Sequence, residues 1–263
     1  MIELRTLGAV DLRDADGREI RPVLAQPKRF ALMAYLAVAR PHGFHRRDVL
    51  LALFWPELDQ ERARAALRKA VHVVRRGVGA GTLLGRGDEE LGLAVGAVRC
   101  DVVAFEQALE GQRFGEALEL YRGDLLDGFF ISGAPEFERW VDRERARLRG
   151  LAATAAWELA EQAATEERDV LAVQSARRAM DFTPTDEGAL RRLIALLYRT
   201  GDRAAALHAY NAFAARLAEE YGVRPSAETR KLVEVVKASG DVPLEGKRPL
   251  PPSAPPRKPP PPA

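Results

Sequence analysis

The chain has 263 residues, 47% of them hydrophobic and 30% charged, which is enough for two globular domains that each bury a core. The opening "MIELRTLGAV" is not a basic-then-apolar leader, and no apolar run approaches the roughly 20 residues that span a bilayer. Cys100 is the only cysteine, so an internal disulfide is excluded and a cytoplasmic protein with no membrane partner is expected.

A net charge of +2 conceals an uneven distribution. Residues 1–100 hold 17 basic and 12 acidic side chains, and residues 101–236 hold 18 and 24. A basic first third joined to an acidic middle suggests two surfaces with different partners, one of them suited to nucleic acid.

In chain order, "IELRTLGAVDLR" reads as strand, closed by a turn at Asp14–Gly17, with a second short extended run at Glu19–Leu24. A helix is expected from Pro27 to just before Pro41, with Phe30, Leu32, Met33, Leu36 and Ala37 on one side. "HRRDVLLALFW" reads as a short amphipathic helix stopped by Pro56, and Asp59 is placed to cap the next one. "TLLGRGDEELGLAV" has the form of a hairpin and is followed by a further short run, "VRCDV".

The helix after Asp59, "ERARAALRKAVHVVRRGVG", carries six positive charges and one negative. At about 100° per residue, Leu67, Val71, Val74 and Val78 share one narrow apolar face. Opposite them lie Arg62, Ala65, Lys69, His72 and Arg76, with Arg64, Arg68 and Arg75 on one flank. A helix in the major groove needs such a face, since its cations neutralise phosphates and reach guanine edges. Helix, short helix, turn, basic helix and hairpin is the order of a winged helix-turn-helix, with Arg86 at the tip of the wing, Thr82–Ala94. The neighbouring Asp88, Glu89 and Glu90 work against a phosphate contact there.

From Asp101 the pattern is helical and repetitive. "GQRFGEALELY" (Gly111–Tyr121) aligns with "TGDRAAALHAY" (Thr200–Tyr210), and "RDVLAVQSARRAM" (Arg168–Met180) aligns with Gly201–Phe213 at a spacing of 33 residues. A period near 34 residues with small residues at helix crossings is the mark of paired-helix repeats of the tetratricopeptide (TPR) kind. Phe129, Phe130, Phe137, Trp140 and Trp157 are expected in the helical core, with a ligand pocket, or a peptide or effector held in the concave face of the repeats, as the open alternative. Ten of the 17 prolines fall between Pro243 and Pro262, where an extended linker is expected.

Over about residues 1–236 the chain resembles the SARP-type regulators (Streptomyces antibiotic regulatory proteins), which join a response-regulator-type winged helix to a bacterial transcriptional activator domain. The resemblance rests on the basic helix, on "CDVVAFEQAL", on "YRGDLLDGFF" with "APEFERWVDRERARL", and on "GDRAAALHAYNAFAARLAEEYGVRPSAET". It implies a transcriptional activator that binds promoter repeats in double-stranded DNA and helps to recruit RNA polymerase. Trp55–Gln60 would be the loop that such winged helices turn to polymerase, and repeated half-sites would allow self-association on the DNA.

The expectation is a mainly α protein. A winged helix-turn-helix at 1–100 precedes a TPR-like activator domain at 101–238 and a proline-rich segment at 239–263. The DNA-binding residues are expected to be Arg62, Arg64, Ala65, Arg68, Lys69, His72, Arg75, Arg76 and Arg86. No cofactor, metal site or enzymatic activity is expected: His42 and His45 have no further ligand group, and no phosphate loop or nucleophile–base set is present. The competing expectation is a helical-repeat adaptor, or the front end of a longer protein, whose winged helix binds protein.

Overall fold

The computed structural model describes residues 1–238, so the expected proline-rich segment at 239–263 lies outside the described residues. The N-terminal strands β1 (Ile2–Arg5) and β2 (Asp11–Arg13) pair antiparallel, and β6 (Val98–Cys100) closes this sheet parallel to β1, with Ile2 opposite Val98. Two short helical elements follow the first strands, α1 (Arg21–Leu24) and α2 (Pro27–Val38). The extended run expected at Glu19–Leu24 is therefore mostly helix. Only Glu19 bridges back to Arg13, and Pro22 sits in the first turn of α1, where its missing N–H costs nothing.

A strand not anticipated, β3 (Phe44–Arg46), precedes α3 (Arg47–Phe54), so the helix expected from His45 starts two residues later. Pairing explains the difference, because β3 lies against β5 (Glu90–Leu93) of the wing, with His45 opposite Leu91. Between them come α4 (Gln60–Val78) and β4 (Leu83–Arg86), and β4 pairs with β5 as the expected hairpin. The fold class is thus a winged helix-turn-helix framed by two small sheets.

Among the described residues seven helices follow: α5 (Asp101–Glu110), α6 (Phe114–Leu120), α7 (Pro135–Thr165), α8 (Asp169–Phe182), α9 (Glu187–Arg199), α10 (Arg203–Tyr221) and α11 (Ala227–Ala238). The turns before α6, α8 and α10 are built alike. Gln112, Glu167 and Gly201 all have positive φ, and the next residue in each case donates its N–H to a carbonyl five residues back, at 2.8 Å. These turns set the repeat register: Glu167 matches Gly201 at a spacing of 34, and Gln112 matches Gly201 as expected. The alignment at 33 residues is one residue out, since it places buried Ala179 over exposed Ala212. In the observed register Ala117, Ala172 and Ala206 occupy one position, fully buried where adjacent helices cross.

The winged helix shares one apolar core, from Ile2 to Ala152, with α5, α6 and the first part of α7, and a second core from Leu118 to Val236 holds the rest of α7 with α8 to α11. Tyr35 on α2 packs against Trp140 on α7 with ring centroids 4.9 Å apart, and Phe54 on α3 meets Phe137 at 5.2 Å. Phe137, Trp140 and Trp157 are buried and Phe129 half-buried against Phe30, but Phe130 is 66% exposed and is not core.

Polar contacts lock the same junction. The Asp101 carboxylate accepts from the Thr6 and Leu7 N–H groups at 2.7 and 2.8 Å and from the Thr6 hydroxyl at 2.8 Å. Buried Glu106 accepts from Arg147 of α7 at 2.7 Å and is ion-paired with Arg40 at 2.6 Å, so its charge is compensated from both sides. Gly8, at φ +75°, lies where a Cβ would come within 2.8 Å of the Arg122 carbonyl, so only glycine permits this approach.

Candidate nucleic-acid interface

The candidate interface is built on α4. Its start is fixed by Asp59, whose Oδ1 accepts from the Arg62 N–H at 2.8 Å, and Glu61 in the first turn complements the helix dipole. Ala63, Ala65, Ala66 and Ala70 favour the helical state, and Gly79, at φ +95°, ends it. Gly77 allows close packing near that end, since a Cβ there would stand 2.8 Å from the Ile20 side chain.

The expected apolar face is the observed one. Leu67, Val71, Val74 and Val78 are buried, joined by Ala63 and Ala70. Arg62, Arg64, Ala65, Arg68, Lys69, His72 and Arg76 are exposed on the remaining surface, and Ala66 packs partly against the core.

These cations differ from most others nearby. Arg5, Arg13, Arg18, Arg40 and Arg46 each have a carboxylate within 3.4 Å, as has Lys28. Arg62 is loosely held by Asp59 at 3.3 Å. Among the described residues, Arg64, Arg68, Lys69 and Arg76 form no ion pair, so one helix carries four exposed cations without a carboxylate at contact distance.

Arg75 and Arg86 are engaged within the protein. Arg75 is half-buried and donates from Nε to the Leu83 carbonyl at 2.9 Å, which ties α4 to the first wing strand. Arg86 is paired with Glu90 across the hairpin and lies 5.0 Å from the Phe44 ring centre. The hydrogen bond and charge of Glu90 raise the Arg86 pKa, and Arg86 lowers that of Glu90 in return. Both arginines would have to exchange these partners to reach a phosphate.

Arg47 at the start of α3 is not among the residues expected from sequence. Its guanidinium crosses the wing at Gly85, where a Cβ would sit 3.6 Å from Nη2, and its Nε is buried without a hydrogen-bond partner. "HRRDV" offers a basic cluster as a signal, but the fold is needed to bring Arg47 beside Arg64 and Arg68.

The loop expected to face polymerase is partly internal. Trp55 is buried against Phe54, Leu58 packs on the core, and Pro56, Glu57 and Asp59 remain exposed. Lys28 holds Glu57 at 2.9 Å, and that hydrogen bond keeps the Glu57 pKa below its ordinary value.

Among the described residues no helix is long and apolar enough to cross a membrane, and no group of three His, Cys, Asp or Glu is placed to hold a metal. The family model of the bacterial transcriptional activator domain matches residues 90–237, from the second wing strand to the last helix and over more than half of the chain. The chain belongs to that family. This bears out the resemblance to SARP-type regulators and gives an assignment to a family of transcription regulators.

No curated protein matches the activator-domain chain. Among solved structures, EmbR of Mycobacterium tuberculosis in complex with a low-affinity phosphopeptide is similar, with a TM-score of 0.63 and 20% identity. The match covers 90% of this chain and 65% of that one, and at this identity it shows likeness of fold. The activator-domain chain therefore spans about two thirds of that structure's length.

Proposed function

We propose that the chain is a sequence-specific DNA-binding transcriptional activator that acts in the cytoplasm, with α4 as its recognition helix. The observation that carries this reading is the row of exposed cations on α4. Arg64, Arg68, Lys69 and Arg76 make no ion pair within the described residues, which keeps four charges available to an external polyanion. On a groove-sized helix that polyanion is duplex DNA, with phosphates neutralised by the flanking arginines and base edges read by the outer face. Arg62, Ala65, Lys69, His72 and Arg76 form the groove face, while Arg64 and Arg68 serve phosphates and Arg75 and Arg86 join them on exchange of partners.

We further propose a division near residue 100, where β6 ends at Cys100 and α5 begins at Asp101. The first part would bind promoter repeats, with self-association on adjacent half-sites. The second, together with the exposed residues of the Trp55–Gln60 loop, would recruit RNA polymerase. The shared core supports such coupling, since it packs α5, α6 and the first part of α7 against the winged helix.

Selection from a random-sequence DNA pool, read at two salt concentrations, tests the reading. An enriched motif, in particular a direct repeat, is the expected result. Failure to bind DNA at either salt would overturn the reading in favour of a protein-binding platform.

A further inference from the structure

The wing tip is the part of the candidate interface whose charge opposes its proposed ligand. A cleft of about 340 Å³ lies between the start of α3, the flank of α4 and the wing, and it collects Arg47, Arg64 and Arg68 with Asp48, Asp88 and Glu89. The tip is fixed in place, because the Arg47 N–H donates to the Glu89 carbonyl at 2.8 Å. The wing's only guanidinium, Arg86, is neutralised by Glu90, which leaves Asp88 and Glu89 as its free charges. Among these described residues no pair within the cleft closes to ion-pair distance, and the Arg47 Nε keeps an unmade hydrogen bond. Three guanidinium groups and three carboxylates thus share one cleft without being tied to one another.

We propose that Asp88 and Glu89 act as an electrostatic brake, competing with backbone phosphates for Arg47, Arg64 and Arg68. The proposal rests on the DNA-binding reading of α4 and deepens it. Phosphate contacts are the same on every sequence, so a competitor for the arginines that make them lowers sequence-independent affinity. Base reading by Lys69, His72 and Arg76 lies on another part of the helix surface and is left intact. The brake therefore lowers affinity for every duplex by a similar factor, so that base reading supplies a larger share of the binding that remains. It also accounts for a wing that carries acids where the resemblance implies a basic contact.

The test measures binding of the full chain to its selected motif and to a scrambled duplex, across a salt series. The wild type is compared with Asp88→Asn/Glu89→Gln, in both the native and the Arg64→Ala/Arg68→Ala backgrounds. Both acids are exposed, and thermal melts check that each variant folds. Expected in the double variant are about tenfold tighter binding to scrambled DNA, a similar gain on the motif, and a log–log salt slope steeper by about one to two units. In the Arg64→Ala/Arg68→Ala background most of that gain should vanish. Unchanged binding to scrambled DNA would overturn the brake, as would a full gain that persists without Arg64 and Arg68, since that would be general surface repulsion. Failure of every protein to bind either duplex would overturn the DNA-binding reading itself.

Discussion

His45 is buried in β3 beneath the Tyr35 ring, 5.2 Å away, and its Nε2 has no hydrogen-bond partner. Burial lowers its pKa, and the neighbouring His42 lowers it further. A histidine with a folded pKa below its unfolded value of about 6.5 binds its proton more readily in the unfolded chain. The stability it contributes is complete above that value and is lost progressively as pH falls below it. Melting temperatures should therefore drop between pH 7.5 and pH 5.5, and His45→Phe should flatten the drop. An equal drop in the variant would place the sensitivity elsewhere. The same junction holds Asp124, whose carboxylate is raised by burial but lowered more by Arg149 and Tyr121, with a net pKa below its ordinary value. Its contribution disappears only at lower pH, so the two groups separate along the pH axis.

At the scale of the element, α4 shows how much is legible in the sequence. Its apolar stripe, its cap and its exposed cations all follow from the order of residues, because a helix of fixed pitch turns spacing directly into faces. Asp59→Ala should cost about 1 kcal/mol by exposing the first-turn N–H groups, measured as a lower urea midpoint at unchanged slope. What the sequence does not disclose depends on distant pairing. Strand β3 exists because Phe44–Arg46 meets the second wing strand about 45 residues later, and no local pattern marks it. The repeat register slips by one residue because alanine content alone does not distinguish 33 from 34, whereas the positive-φ turns at Glu167 and Gly201 do. Arg75 and Arg86 read as free cations in sequence, but their partners are a carbonyl and a carboxylate on the wing.

For the whole molecule, the winged helix is joined to α5, α6 and α7 by a common core and by the Asp101 and Glu106 contacts, and α7 carries on into the second core of α8 to α11. Motion of one part relative to the other would have to open the Tyr35–Trp140 and Phe54–Phe137 packing. The central claim is that the unpaired cations of α4 hold duplex DNA. It is tested most directly by the salt dependence of binding for the wild type and for Arg64→Ala/Arg68→Ala. The variant is expected to bind more weakly, with a log–log slope shallower by about 0.9 for each phosphate left without its cation. Unchanged affinity and unchanged slope would contradict the claim.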